Sequence, residues 1–169
     1  MKKLIALVLA LVLCLGITSA FADKLGFGSV SGVGHATKDA TEDAVGVIQV
    51  ETTYCAVLVD DEGKIIEIKF DVAQNSFNFD NEGKVIAHGP DYPTKLEKGD
   101  AYGMKNASAI GLDWYEQAAG LQAWLVGKTI DEFRAAVEAG DETLLAVCSI
   151  TATDFVEAAA KAIADALAE

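Results

Sequence analysis

Two periods of apolar residues divide this chain. In its first half they recur in twos, the period of a strand, and beyond residue 105 in threes and fours, the period of a helix. Val45 to Val59, VGVIQVETTYCAVLV, is rich in β-branched and aromatic residues and predicts a long strand. Asp60-Asp61-Glu62-Gly63 follows as a turn, Gly63 supplying the positive φ. The return through Lys64 to Val72, KIIEIKFDV, puts Ile66, Ile68, Phe70 and Val72 on one face and Glu67, Lys69 and Asp71 on the other. Alternation of this kind means one buried wall and one wet wall, hence an antiparallel sheet. Ser76 to Phe79, then Asp80-Asn81-Glu82-Gly83, then Lys84 to Ala87 repeat the pattern around the same D-x-E-G-K turn. Two hairpins in succession predict a meander. Ahead of them KLGFGSVSGVGHA, Lys24 to Ala36, reads as a Gly-rich edge strand with Leu25, Phe27 and Val33 as its apolar residues. Its G-x-G-x-x-x-G spacing is not a dinucleotide fingerprint, because no strand precedes it and no helix opens from it.

The helical period starts after Asn106 or Ser108, either of which suits an N-cap. Ile110, Trp114, Ala118, Leu121 and Leu125 then form a core-facing stripe, and Gly127 ends it. Thr129-Ile130-Asp131-Glu132 is a capping box, opening a helix with Ile130, Phe133 and Val137 inward and closing at Gly140. Thr143 to Ile150, TLLAVCSI, reads as a buried strand. Thr151 or Thr153 caps a last, alanine-rich helix with Val156, Ala160, Ile163 and Leu167 on one face, and Glu157 and Lys161 are spaced for an ion pair. The expected fold is α+β: an antiparallel meander of about four to six strands with helices near 106–126, 130–138 and 153–168 packed on one face. No linker divides residues 23–169, which read as a single domain.

Between the two halves, Gly89 to Lys105 follows neither period. Irregular stretches beyond about 12–15 residues tend to be functional or disordered. This one carries Tyr92, Leu96, Tyr102 and Met104 as anchors, and it concentrates Lys95, Lys98 and Lys105 in a chain whose net charge is −13. That local reversal of sign suggests either an anion-facing surface or a lysine-solubilised loop held down by its tyrosines.

The first residues, MKKLIALVLALVLCLGITSAFA, have the form of a cleaved signal peptide over residues 1–22: Lys2 and Lys3, an apolar stretch, and Ala20-Phe21-Ala22. The apolar run is short against the roughly 20 residues of a membrane span, so no membrane insertion is expected after cleavage, an uncleaved anchor being the alternative. Cys14 reads as one more apolar residue of that run. An exported protein follows, and its acidity excludes nucleic acid and anionic lipid as general partners. Cys55 and Cys148 remain. Outside the cytoplasm such a pair can bridge, which in the chain-entropy model would contribute about 4–5 kcal/mol, or it can stay as two buried thiols. His35 and His88 stand apart from other ligands, so no metal is expected.

Two windows resemble a known family. TTYCAVLVDDEGKIIEIKFDVAQ, Thr52 to Gln74, resembles the strand–turn–strand of secreted FMN-binding-domain proteins. LAVCSITATD, Leu145 to Asp154, lies where those proteins carry D-x-x-S-G-A-T-x-T-S before an Ala/Val-rich helix. The segment TKLEKGDAYGMKNASAIGLDWYEQAAGLQAWLVGKTIDEF also resembles a block found in small secreted proteins of Gram-positive anaerobes. The resemblance implies an FMN phosphate beside Thr151 and Thr153. This chain departs from the motif at Leu145, Ser149 and Ile150, the last bulky where small residues admit a phosphate, so covalent flavin attachment is not expected. A strand ending at Ile150 and a helix opening near Thr153 would offer free N–H groups to an anion, ordinary capping being the other role for these threonines. Lys95, Lys98 or Lys105 would add counter-charge, and Tyr102 or Trp114 would stack on a ring. No catalytic triad, nucleophile elbow or metal motif is legible. The expectation is an exported, non-catalytic flavin carrier; the competitor is a module binding another small ligand or a protein without flavin.

Overall fold

A computed structural model describes residues 23–87 and 91–168. The leader with Cys14, and His88-Gly89-Pro90, lie outside the described residues. Four strands, β1 (Lys24–Val33), β2 (Gly46–Val59), β3 (Ile65–Phe79) and β4 (Val85–Ala87), form an antiparallel sheet in the order β1-β2-β3-β4. The meander is as expected, although Lys64–Val72 and Ser76–Phe79 belong to one strand, β3, that serves both hairpins. The repeated turn has a common mechanism. Asp60 Oδ1 accepts from the N–H groups of Glu62 and Lys64 at 2.9 and 2.8 Å, and Asp80 Oδ1 accepts from Glu82 and Lys84 at 3.0 and 2.8 Å. Gly63 and Gly83 take the left-handed conformation each turn needs.

One wall of the sheet is buried, with Cys55, Val57 and Val59 from β2 and Ile65, Ile68, Phe70 and Val72 from β3. Ile66, expected there, is exposed instead. Leu58 pairs with Glu67 while Val59 pairs with Ile65, so Ile66 is the extra residue of a bulge, which shifts the phase of β3.

The helical half comprises α1 (Lys95–Lys98), a 3₁₀ turn (Gly99–Tyr102), α2 (Trp114–Leu125), α3 (Ile130–Ala139), α4 (Glu142–Leu145) and α5 (Thr153–Leu167). The helix expected from residue 106 begins at Trp114, with Asp113 rather than Asn106 or Ser108 at its N-cap. Glu116 Oε2 accepts the Asp113 N–H at 2.8 Å, whereas the Ser108 hydroxyl accepts from Ile110 and Leu112 and folds the preceding loop. From Trp114 on the stripe is as read: Trp114, Ala118, Leu121 and Leu125 are all buried. The capping box at Thr129 forms, and Gly140 closes α3 in the left-handed conformation.

Thr143–Ile150 is not a strand. Asp141 Oδ1 accepts from the Thr143 and Leu144 N–H groups, which starts the short helix α4 and removes those amides from any ladder. The rest of the run lies along α2. A Cβ on Gly120 would stand 2.9 Å from the Val147 carbonyl oxygen, and Trp124 Nε1 donates to Thr143 Oγ1 at 3.0 Å. Short apolar runs lack the length to show their period, which is why the residues alone suggested a strand.

Helix α5 packs on β1 and β2 through a close backbone approach. Gly26 and Gly28 face it: a Cβ on Gly26 would lie 1.9 Å from the Ala162 carbonyl oxygen, and one on Gly28 2.3 Å from that of Ala158. The buried side of α5 facing these glycines includes Ala158, Ala162 and Ala166, while Leu167, expected inward, is exposed. The same geometry turns Leu25 and Phe27 outward, and Val33 is exposed as well, so the apolar residues of the edge strand face away from the core. Lys161, rather than pairing with Glu157, donates to the Ser29 carbonyl oxygen at 2.9 Å, and Asp165 accepts the Phe27 N–H at 3.0 Å. These bonds cover polar backbone groups of β1 that would otherwise invite another strand.

Candidate functional site

The residues that suggested a ligand separate into two places. The first is where the connector meets the sheet. Thr94 caps α1 in a reciprocal box with Glu97, and the Leu96 N–H donates to Asp71 on β3 at 3.2 Å. This fixes Lys95 pointing inward. Its ammonium lies 2.6 Å from Glu51 Oε1, with the two side chains 9% and 24% exposed. Gln74 donates to the same Glu51 oxygen at 3.2 Å and accepts from the Tyr102 hydroxyl at 3.3 Å. The Tyr102 and Trp114 rings stand 5.2 and 5.9 Å from the ammonium, within cation–π range. Lys98 reaches the Tyr102 ring at 5.9 Å.

This cluster is closed. Glu51 neutralises Lys95, and Trp114, 1% exposed and 6.2 Å from Phe155, has no free face for a flavin ring. Lys105 is exposed, and its backbone N–H binds Asp113 at 2.9 Å. Lys95 and Trp114, expected as counter-charge and stacking platform, are thus engaged within the fold. Both residues hold the connector against the sheet.

The second place is the amino end of α5. A cavity of about 230 Å³ opens between the carboxyl end of α3, α4 and residues 148–153, with Thr151 and Thr153 on its lining and Val137, Leu144, Leu145, Cys148 and Ile150 as apolar walls. Ala152, not a threonine, occupies the N-cap of α5, and no side chain caps it, which corrects the capping expectation for Thr151 and Thr153. The first hydrogen bond of the helix runs from the Val156 N–H to the Ala152 carbonyl at 2.9 Å. The amides of Thr153, Asp154 and Phe155 thus have no partner within the helix. Both threonines are exposed, and neither hydroxyl bonds a protein group among the described residues.

Lys95, Lys98, Tyr102, Lys105 and Trp114 do not line this cavity. Arg134, the chain's single arginine, was not picked out by sequence reasoning. It lines a neighbouring hollow of about 210 Å³ that shares Val137 and Thr153 with the first. Arg134 Nη1 lies 3.2 Å from Asp131, an exposed pair that leaves the guanidinium accessible. Its position on a helix distant in sequence gave no sign of this beyond being the one arginine. Asp141 also lines the cavity, its carboxyl held below the ordinary range by the Thr143 hydroxyl and the Leu144 and Thr143 amides.

Two features of the flavin motif can be tested on this geometry. Thr151 and Thr153 lie on the cavity lining, and Thr153 opens the uncapped first turn of α5. Ser149, where the motif has glycine, does not point its N–H there: its N–H and hydroxyl both donate to Gln117 Oε1, at 2.8 and 3.1 Å. Ile150 lines the cavity wall. The volume is below the roughly 300–1,000 Å³ typical of sites that enclose a whole cofactor.

Cys55 and Cys148 are both unbridged and buried. Burial pushes the Cys55 thiol up to about 12, and it also raises Cys148. Among the described residues no group of three His, Cys, Asp or Glu is arranged for a metal ion, and no helix is long and apolar enough to cross a membrane.

No family model and no solved structure matches the chain. Among curated proteins it is similar to a chlorophenol reductase of Desulfitobacterium hafniense, 36% identical over 96 residues. The match takes in 47% of this chain and 28% of the reductase, so the chain corresponds to little more than a quarter of that protein's length.

Proposed function

We propose that this chain is an exported FMN-binding-like module, a carrier rather than an autonomous catalyst, that holds the phosphate end of its ligand at the amino terminus of α5. The observation that supports this reading is the coincidence, in one cavity, of two unengaged threonine hydroxyls with the open first turn of a 15-residue helix. In this reading Thr151 and Thr153 donate to phosphate oxygens, Arg134 supplies the counter-charge first assigned to the lysines, and Val137, Leu144 and Ile150 line the ribityl chain. The ring lies at the mouth of the cavity, near the half-exposed Leu145. Bound flavin would supply electron-carrying capacity, a role compatible with the likeness to a stretch of a reductase. Mixing the purified protein with FMN tests the proposal. Saturable quenching of flavin fluorescence at micromolar protein is expected. FMN remaining free at tens of micromolar protein would remove the flavin reading.

A second reading, a protein-binding module without flavin, draws on the other wall of the sheet. Leu25, Phe27, Ile48 and Val50 stand exposed there on neighbouring strands, with Phe27 stacked on Tyr54. Leu25 and Phe27 pair with Leu58 and Ala56 at one end of β2, whereas Ile48 and Val50 lie towards its other end, so the wall carries two small apolar patches, and the one around Phe27 is the candidate contact. Phe27→Lys should leave FMN quenching unchanged under the first reading and abolish partner binding under the second.

A further inference from the structure

Gln117 is 0% exposed, yet it is among the most polar side chains in the protein's interior. A leucine or methionine would fill its place on α2 without any polar group to satisfy. Burial of an amide is tolerated only when its bonds are made, and here all four are. Nε2 donates to Ser108 Oγ at 2.8 Å and to the Leu112 carbonyl at 3.0 Å. Oε1 accepts from Ser149 N–H at 2.8 Å and from Ser149 Oγ at 3.1 Å. The amide's orientation is unambiguous, because a backbone N–H faces one side and a backbone C=O the other.

These bonds join two segments that are far apart in sequence. On one side is the loop before α2, where Ser108 Oγ also accepts from the Ile110 and Leu112 amides. On the other is Ser149, the residue from which the chain turns into the lining of the cavity at Ile150, Thr151 and Thr153. We infer that Gln117 is a positioning residue that makes the 106–112 loop and the cavity-lining 149–153 segment one mechanical unit. Loosening the first loosens the second, although no residue of the 106–112 loop lines the cavity. The physical reason is the shared amide: when the Ser108 hydroxyl is lost, a buried N–H is left unpaired, and recovering a partner requires rotating Oε1 away from Ser149. The consequence for ligand affinity rests on the flavin reading above, whereas the coupling itself does not.

Truncating Gln117 itself risks losing the fold, so the decisive variant is Ser108→Ala, read out at Cys148, the residue beside Ser149. Both thiols are buried, and Cys55 in the sheet serves as an internal control. Native protein is exposed to a thiol-specific alkylating reagent, and labelling at each cysteine is followed by peptide mass analysis. Coupling predicts that Ser108→Ala accelerates labelling of Cys148 by about fivefold or more while Cys55 keeps its rate. Ser108→Thr, which restores the hydroxyl, returns Cys148 to the wild-type rate. Adding Ser149→Ala to Ser108→Ala gives less than the product of the two single effects. An unchanged Cys148 rate, or equal acceleration of both thiols, overturns the inference. FMN titration of the same variants separates the two claims. If the wild type ignores FMN the flavin reading falls, while the labelling result still decides the coupling.

Discussion

The connector over the sheet and the amino end of α5 offer a ligand the same kinds of group: cations, hydroxyls and aromatic or apolar surface. They differ in whether those groups are already engaged. At the connector, Lys95 has Glu51, Tyr102 has Gln74, and Trp114 has the core. At α5, Thr151 and Thr153 have open hydroxyls and the helix has open amides. A buried charge that is paired within the fold contributes to holding it together and has little left to offer a ligand. An unengaged donor set on a concave surface is what an anion needs. Residue type points to both places, and only the bonds their groups already make separate them.

The largest effect expected is on stability, at the connector. Lys95→Met should leave Glu51 buried opposite an apolar chain and cost about 2–3 kcal/mol, somewhat below the usual figure for a broken buried pair because Glu51 retains partial exposure. Denaturant unfolding measures it, and adding Glu51→Leu should recover most of the loss. FMN affinity, measured where the variant is still folded, should not change. A Lys95→Met protein that is fully stable but loses FMN would reverse the roles of the two regions.

Next in size are the substitutions at the cavity. Thr151→Ala and Thr153→Ala should each weaken FMN by about fivefold to tenfold, the worth of one hydrogen bond to a charged group, with unfolding midpoints close to wild type. Arg134→Gln should weaken it by a similar factor and make binding less sensitive to salt. Lys98→Gln and Lys105→Gln serve as controls and should have no effect on FMN.

The smallest effect is a pH dependence beside the cavity. Asp141 is held below its ordinary pKa of 3.8 by the Thr143 hydroxyl and two amides, so its contribution to α4 is complete above that value. It is lost as pH falls through the lower folded-state pKa. Amide protection at Thr143 and Leu144, taken relative to intrinsic exchange at each pH, should therefore fall below about pH 4 in the wild type. In Asp141→Asn that fall should be absent.

The sheet was legible because alternation over long strands and the twice-used D-x-E-G-K turn give the same answer at two levels. Ile66 misled because a bulge is a pairing event and leaves no mark in the strand that carries it. The run 143–150 misled because α4 depends on one aspartate cap and on small surfaces of α2, both outside the run. The glycines of β1 mark an edge strand in the sequence, and in the fold they are also the contact surface for α5, which only the alanine-rich helix far downstream reveals. At the candidate site, the motif points to Thr151 and Thr153, and charge alone points to the lysines. What the lysines lacked was invisible in one dimension: Glu51 waits on β2 for Lys95, and Arg134 approaches Thr153 from another helix.

The most direct test of the central claim compares FMN with riboflavin, which lacks only the phosphate. If the open amides and the two threonines hold that group, FMN should bind at least about tenfold more tightly than riboflavin. The double variant Thr151→Ala/Thr153→Ala should shrink most of that difference. Equal affinities for the two flavins in the wild-type protein would contradict the account.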